Sequence, residues 1–261
     1  MNEGLPLAGG AAGVVATGEA VGRLADVWVY LSASPLLGLS ITLLVYHGAF
    51  LVYQRSGLHP LANPVALSII TLGLLLWATN TPYAAYFEGA QFVHFLLGPA
   101  TVALAVPLFE QMARLKRLWL PMLGALVVGT LSATVTAIGV AWALGASKET
   151  IASLAPKSVT APVAMGIAEK IGGLPTLTAV LVVCTGIVGA ASARYVLDAL
   201  RIQDPSVRGF ALGTAAHGIG TARAFLDNPE SGAFAGLAMG LCALFSAVAL
   251  PLVAGFLLRW I

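Results

Sequence analysis

Lys157 stands in an otherwise apolar stretch, next to Pro156 and five residues before Pro162, with Ser158 and Thr160 beside it. An ammonium, two hydroxyls and a backbone that proline keeps from forming a regular helix make a compact donor set for a small anion. A second polar set lies nearer the C-terminus: Thr214, His217, Thr221 and Arg223, interleaved with Gly218 and Gly220. Thr101, beside Gly98 and Pro99, marks a third. An imidazole with an ordinary pKa of about 6.5 suits proton coupling or ligand binding at His217. Each residue also has a plain structural reading. Lys157 can snorkel to an interface; His217 can be a satisfied packing residue. Arg223 can bind an anion or mark a cytoplasmic helix end. Ser158, Thr160 and Thr221 can bond a ligand or cap half-helices. The chain carries no nucleophile elbow, no P-loop and no zinc spacing, and His47 and His94 lack carboxylate or cysteine companions. We therefore expect no enzyme, no cofactor and no metal. Cys184 and Cys242 lie within apolar runs and read as small buried hydrophobes.

The elements that hold these groups must be membrane helices. Of 261 residues, 59% are hydrophobic and 9% charged, against roughly 25% charged in a soluble domain. Such a chain needs lipid as its solvent, and lipid admits helices or a closed barrel. The apolar runs are long and do not alternate, which favours helices. A net charge of +2 gives no reason to expect a nucleic-acid partner. The N-terminus lacks the pattern of an ordinary signal peptide: Glu3 comes early and glycines interrupt the apolar run. Residues 1 to about 25 read as flexible, so the division is a flexible N-terminal extension over 1–30 and a transmembrane domain over 31–261.

Five ordinary spans are expected: Pro35 to Tyr53, Pro64 to about Thr79, Leu118 to Leu144, Leu174 to Tyr195, and about Gly232 to Leu258. Three segments are interrupted. Phe92 to Met112 is broken at Gly98-Pro99 and again at Pro107, Glu149 to Ile171 at Pro156 and Pro162, and Val207 to Phe225 by glycines. The interruptions recur: Leu97-Gly98-Pro99-Ala100-Thr101-Val102 resembles Leu154-Ala155-Pro156-Lys157-Ser158-Val159, and Leu212-Gly213-Thr214 follows at a similar interval. Pro121 and Pro175 are each expected to begin a span. Broken backbone at membrane depth occurs only where it is buried or lines a cavity, and the half-helices point their positive N-termini at the break. If 149–171 dips in and returns, then Arg194, Arg201 and Arg208 share the cytoplasmic side with Arg55 and Arg114 to Arg117. Two hairpins from opposite faces would then form an inverted repeat, as transporters use. A single crossing by each broken helix stays open. Gly232, Gly236 and Gly240 recur every four residues and read as a packing stripe. Trp28, Trp77, Trp119 and Trp260 read as interface anchors, and Glu88 and Gln91 as residues opening the third segment.

Three long motifs in order resemble the LrgB/CidB family: Gln91 to Leu108 (QFVHFLLGPATVALAVPL), Leu154 to Ala164 (LAPKSVTAPVA), and Arg208 to Arg223 (RGFALGTAAHGIGTAR). The resemblance covers about Pro35 to the C-terminus. It implies a multi-pass protein of the bacterial inner (cytoplasmic) membrane and offers two functions. One is transport of glycolate, glycerate, pyruvate or similar small monocarboxylates by alternating access of an elevator kind, as in the plastidial glycolate/glycerate translocator. The other is antiholin-like control of murein hydrolase export and autolysis beside an LrgA/CidA-type membrane partner. The chain resembles the B component alone. A carrier built on it is expected to be a homodimer, since twofold pairing is commonest.

Overall fold

The computed structural model describes residues 35–59, 62–96, 99, 102–103 and 105–260. Thr101, Gly98 and the whole 1–30 extension lie outside the described residues. The described chain is helical: α1 (Pro35–Arg55), α2 (Pro64–Ala78), α3 (Tyr83–Phe95), α4 (Ala105–Glu110), α5 (Met112–Ala143), α6 (Lys148–Leu154), α7 (Ala161–Lys170), α8 (Pro175–Ala199), α9 (Pro205–Asp227) and α10 (Pro229–Leu257). Local chemistry starts most of them. Proline occupies the first turn of α2, α7, α8, α9 and α10, where its missing N–H costs nothing. Asn63, Asp204 and Asn228 cap α2, α9 and α10, each accepting two backbone N–H groups. Past α5, Gly145 (φ 74°) closes a Schellman turn, with Ala146 N donating to Ala141 O at 3.0 Å.

Four helices are long and apolar enough to cross a membrane: 36–55, 112–143, 175–199 and 229–257. The fifth expected span, α2, has 15 residues. That is about 22 Å of helix, less than the roughly 30 Å hydrocarbon core. The fourth span begins earlier than Leu118. Met112–Ala143 runs straight through the basic residues, and Pro121 lies inside the helix instead of starting it. Arg and Lys are good helix formers. A 32-residue helix of about 48 Å leaves its first turns outside the hydrocarbon, where charge is tolerated. Glu88 and Gln91 sit in the middle of α3, with Gln91 Nε2 donating to the Glu88 carbonyl at 2.8 Å. Cys184 is exposed, contrary to expectation, because that face of α8 looks outward; Cys242 is buried.

Two of the three broken segments, 149–171 and 207–225, turn back on themselves; the break at Gly98-Pro99 lies partly outside the described residues. A Cβ on Gly173, just past α7, would come within 2.7 Å of Ser153 N on the α6 arm, so residues 148–170 form a hairpin, here hairpin 1. In α9 the helix breaks at Ala216 and His217, whose φ is 42°. A Cβ on Gly220 would come within 2.7 Å of the Leu212 carbonyl, an approach impossible in a straight helix, where eight residues span about 12 Å. Ser206 and Val207 at its start and Asp227 at its end therefore lie at the same end of the molecule, and α9 is hairpin 2. The break falls at Ala216-His217 and not at Leu212-Gly213-Thr214.

The hairpins enter from opposite ends of α8. Hairpin 1 is tied to the start of α8: Leu174 N donates to Ser153 Oγ at 2.8 Å and Thr178 Oγ1 to the Ser153 carbonyl at 3.0 Å. Hairpin 2 is tied to its far end, where Arg208 Nη1 meets Asp198 Oδ1 at 2.7 Å. α5 then hairpin 1, followed by α8 then hairpin 2, repeats one unit with its direction reversed. The end holding hairpin 2's base gathers Arg114, Arg117, Arg194 and Arg208, and Arg55 ends α1 two residues after Tyr53, on which Arg223 of hairpin 2 stacks. At that end Arg114 donates to Asp204 (2.6 Å) and forms an ion pair with Glu230 (2.5 Å), clamping α5, α9 and α10 together.

Candidate functional site

Both hairpin tips reach the middle of α8. Val159, in the tip of hairpin 1, is 1% exposed and packs in one apolar cluster with Val182, Phe210, Phe234 and Cys242. The carbonyl of that same Val182 receives His217 Nε2, from the tip of hairpin 2, at 2.9 Å. A carbonyl can only accept, so Nε2 is the protonated nitrogen here. The imidazole fits because the helix face beneath it is bare: a Cβ on Gly186 would lie 2.7 Å from His217 Cε1, and one on Gly189 2.6 Å from Ala216 Cβ.

One turn of α5 serves both breaks. Thr134 Oγ1 reaches the Ala155 carbonyl at 3.4 Å. Thr130 Oγ1 lies 3.6 Å from Cys242 Sγ, which in turn lies 3.9 Å from the carbonyl of Thr214. These carbonyls sit where the helices break, and in lipid they need partners. Sequence reasoning missed Thr130, Thr134, Gly186 and Gly189. Their signals were present: threonines four apart within an apolar span, and glycines three apart in the middle of another.

The expected site residues divide. Lys157, Ser158 and Thr160 all lie in the tip of hairpin 1. Lys157 is half-buried, with Nζ 3.4 Å from Ser158 Oγ, and among the described residues it has no carboxylate partner. Thr160 precedes α7 but its hydroxyl makes no capping bond. Pro156 is fully buried, while Pro162 is exposed in the first turn of α7. In hairpin 2, His217 and Gly218 form the tip, and a side chain at Gly218 would have room. Gly220 serves the close packing of the two arms. Thr221 and Thr214 hydroxyls donate within their own arms, to the carbonyls of His217 and Phe210, each at 2.9 Å. Arg223 lies away from the tips. It pairs with Asp227 at 2.9 Å and stacks 5.8 Å from the Tyr53 ring centre, joining hairpin 2 to α1. Pro99 is exposed. Gly232 is a packing glycine against Phe225, as expected; Gly240 faces open space. Among the described residues no group of three or more metal-ligating side chains converges.

Four long apolar helices and two opposed hairpins that both reach the middle of α8 define a multi-pass helical membrane protein. Residues 42–256 match the LrgB-like family, and the chain belongs to that family. It is 36% identical over 222 residues to the Bacillus subtilis (strain 168) protein YwbG, covering 85% of this chain and 98% of that one. It is 32% identical over 191 residues to a Haemophilus influenzae protein, covering 73% and 83%. It is 30% identical over 224 residues to the antiholin-like protein LrgB of Bacillus mycoides, covering 86% and 97%. No solved structure matches it.

Proposed function

We propose that the chain carries small hydroxy- or keto-monocarboxylates such as glycolate, glycerate or pyruvate across the bacterial inner membrane, with the hairpin tips as the site. The observation that carries this reading is Lys157, held in the tip of hairpin 1 without a carboxylate partner among the described residues. An ammonium withdrawn from water costs several kcal/mol unless an anion offsets it. The second arm of each hairpin, starting at Ala161 and at Gly218, also presents its N-terminus to the tip, which favours negative charge. Ser158 and Thr160 add donors. His217 is the proton-coupling residue in this reading: with Nε2–H committed to Val182, a transported proton loads Nδ1. Access alternates as hairpin 2 and its attached helices shift against the rest. The basic end faces the cytoplasm, and the working unit is a homodimer. We assign no chemical reaction to it.

A second reading has its own support. The Bacillus mycoides relative is named an antiholin-like protein, and that name favours, over the carrier, a regulator of murein hydrolase export working beside an LrgA/CidA-type partner. Uptake separates the two. Proteoliposomes holding the full chain are offered labelled glycolate, glycerate, pyruvate and lactate, with and without a pH gradient. Saturable, gradient-stimulated uptake of one acid, lost in Lys157→Met and in His217→Ala, is the expected result. Equal leakage of every solute, or none until the partner subunit is added, overturns the unaided carrier in favour of the second reading.

A further inference from the structure

A cavity of about 470 Å³ runs between α5 and the first arm of hairpin 2. Its walls are mostly apolar: Met122, Ala125 and Gly129 on one side, Phe210, Ala211 and Ala215 on the other. At one end, Leu118, Ser206 and Val207 are shared with a second cavity, also lined by Arg114, Arg117 and Asp204. The two are one continuous groove, apolar for most of its length and basic at its mouth.

The length of the groove selects an occupant. From Leu118 to Ala133 is about 22 Å of helix. A crossing helix needs roughly 30 Å of apolar surface, whereas one leaflet's acyl chains need about half that. The charge selects a headgroup. Arg114 is already matched by Asp204 and Glu230, and Asp204 is turned to Ser206 and Val207 of its own helix. Arg117 makes no ion pair among the described residues, and Trp119, 60% exposed, stands two residues further along at the level of an interface anchor.

We infer that this groove holds an anionic phospholipid of the bilayer, its phosphate on Arg117 and one acyl chain between α5 and hairpin 2. The lipid would rest on Ala211 and Ala215, next to the break at Ala216, and so bears on the position of the tip. The inference is independent of what the protein transports.

The full-length chain in detergent is incubated with phosphatidylglycerol or phosphatidylcholine, stripped by gel filtration, and its retained lipid counted by native mass spectrometry. Preferential retention of phosphatidylglycerol is expected. It should fall about fivefold in Arg117→Gln, and be lost in Ala125→Phe, which fills the groove from an exposed position. Lys170→Gln, at the opposite end, should leave it unchanged. Should a variant fail to fold, phosphatidylglycerol bearing a photoreactive acyl chain is applied to the unaltered protein. Labels on 118–133 and 206–215 support the site. Labels confined to other segments, retention indifferent to both variants, or a change of oligomeric state in Ala125→Phe with lipid retention unaltered, overturn it; the last outcome assigns the groove to a second copy.

Discussion

The imidazole of His217 and the backbone carbonyl of Val182 are hydrogen-bonded at 2.9 Å, and this bond joins the tip of hairpin 2 to the middle of α8. It is possible only because the next turn of α8 presents Gly186. Replacing Gly by Ala in a helix ordinarily stabilises it by nearly 1 kcal/mol. In Gly186→Ala the new methyl meets His217 Cε1 at 2.7 Å, so a cost of about 1–3 kcal/mol is expected instead. Thermal melting in detergent tests this against Gly124→Ala, where nothing lies within 4 Å. A higher melting point in both variants would refute the close fit.

Among the described residues Lys157 has no ion pair to lose, so Lys157→Met should leave no buried carboxylate there unmatched. Its melting temperature should match or exceed that of the parent protein, while carboxylate uptake falls by more than tenfold. Equal uptake at equal stability would remove Lys157 from the site.

Asp204 caps α9. Hydrogen bonds from the Ser206 hydroxyl first, then from the backbone N–H groups of Val207 and Ser206, and the nearby Arg114 charge hold its carboxyl below the usual range. A depressed pKa in the folded protein stabilises above the unfolded value of about 3.9 and is lost as pH falls through the folded value. The melting-point gap between the parent and Asp204→Asn is therefore expected near neutral pH and should close in acid. Because the group is largely exposed, the gap should be small. A gap that widens on acidification would contradict the assignment.

Arg114 serves two carboxylates on two helices. Arg114→Ala leaves Glu230, whose side chain is 22% exposed, without a cation. About 1–2 kcal/mol should be lost, between the values for surface and buried pairs. In a double-mutant cycle, Glu230→Gln should recover part of that loss; strict additivity would show that the two side chains do not interact.

The interruptions were legible before any coordinates, because Pro156 and Pro162 forbid a regular helix in an apolar run. That 149–171 folds back was open, since each break also allows a crossing; the Ser153 bonds to α8 decide it. The second break was misplaced for a physical reason. Sequence rules assign positive φ to glycine, yet the turn is made by His217, whose strain the Val182 bond offsets, while Gly213 and Gly220 serve close packing. Cys184 was misread because a span's apolar composition is uniform around its circumference and does not say which face meets lipid. The span starting at Leu118 was cut short by treating charge as a boundary, although a helix can extend beyond the hydrocarbon. Lys157, Ser158 and Thr160 lie at one break and His217 at the other, whereas Arg223 belongs to the hairpin's anchorage.

The glycines at 209 and 213 leave no room for a side chain: a Cβ on either would overlap the backbone of Ser231 or Ala235 on α10. Main chain thus lies against main chain at two points, one turn apart, in the first arm of hairpin 2. Such a seam has no long side chains to bend or re-form, so it transmits displacement without absorbing it. The tip carrying His217 cannot swing like a flap on its own. Opening the space between the tips requires α10 to travel as one rigid strut with the arm, or α8 to withdraw from the imidazole, and a crosslink between α10 and α8 should lock the tips as firmly as one placed between the tips themselves.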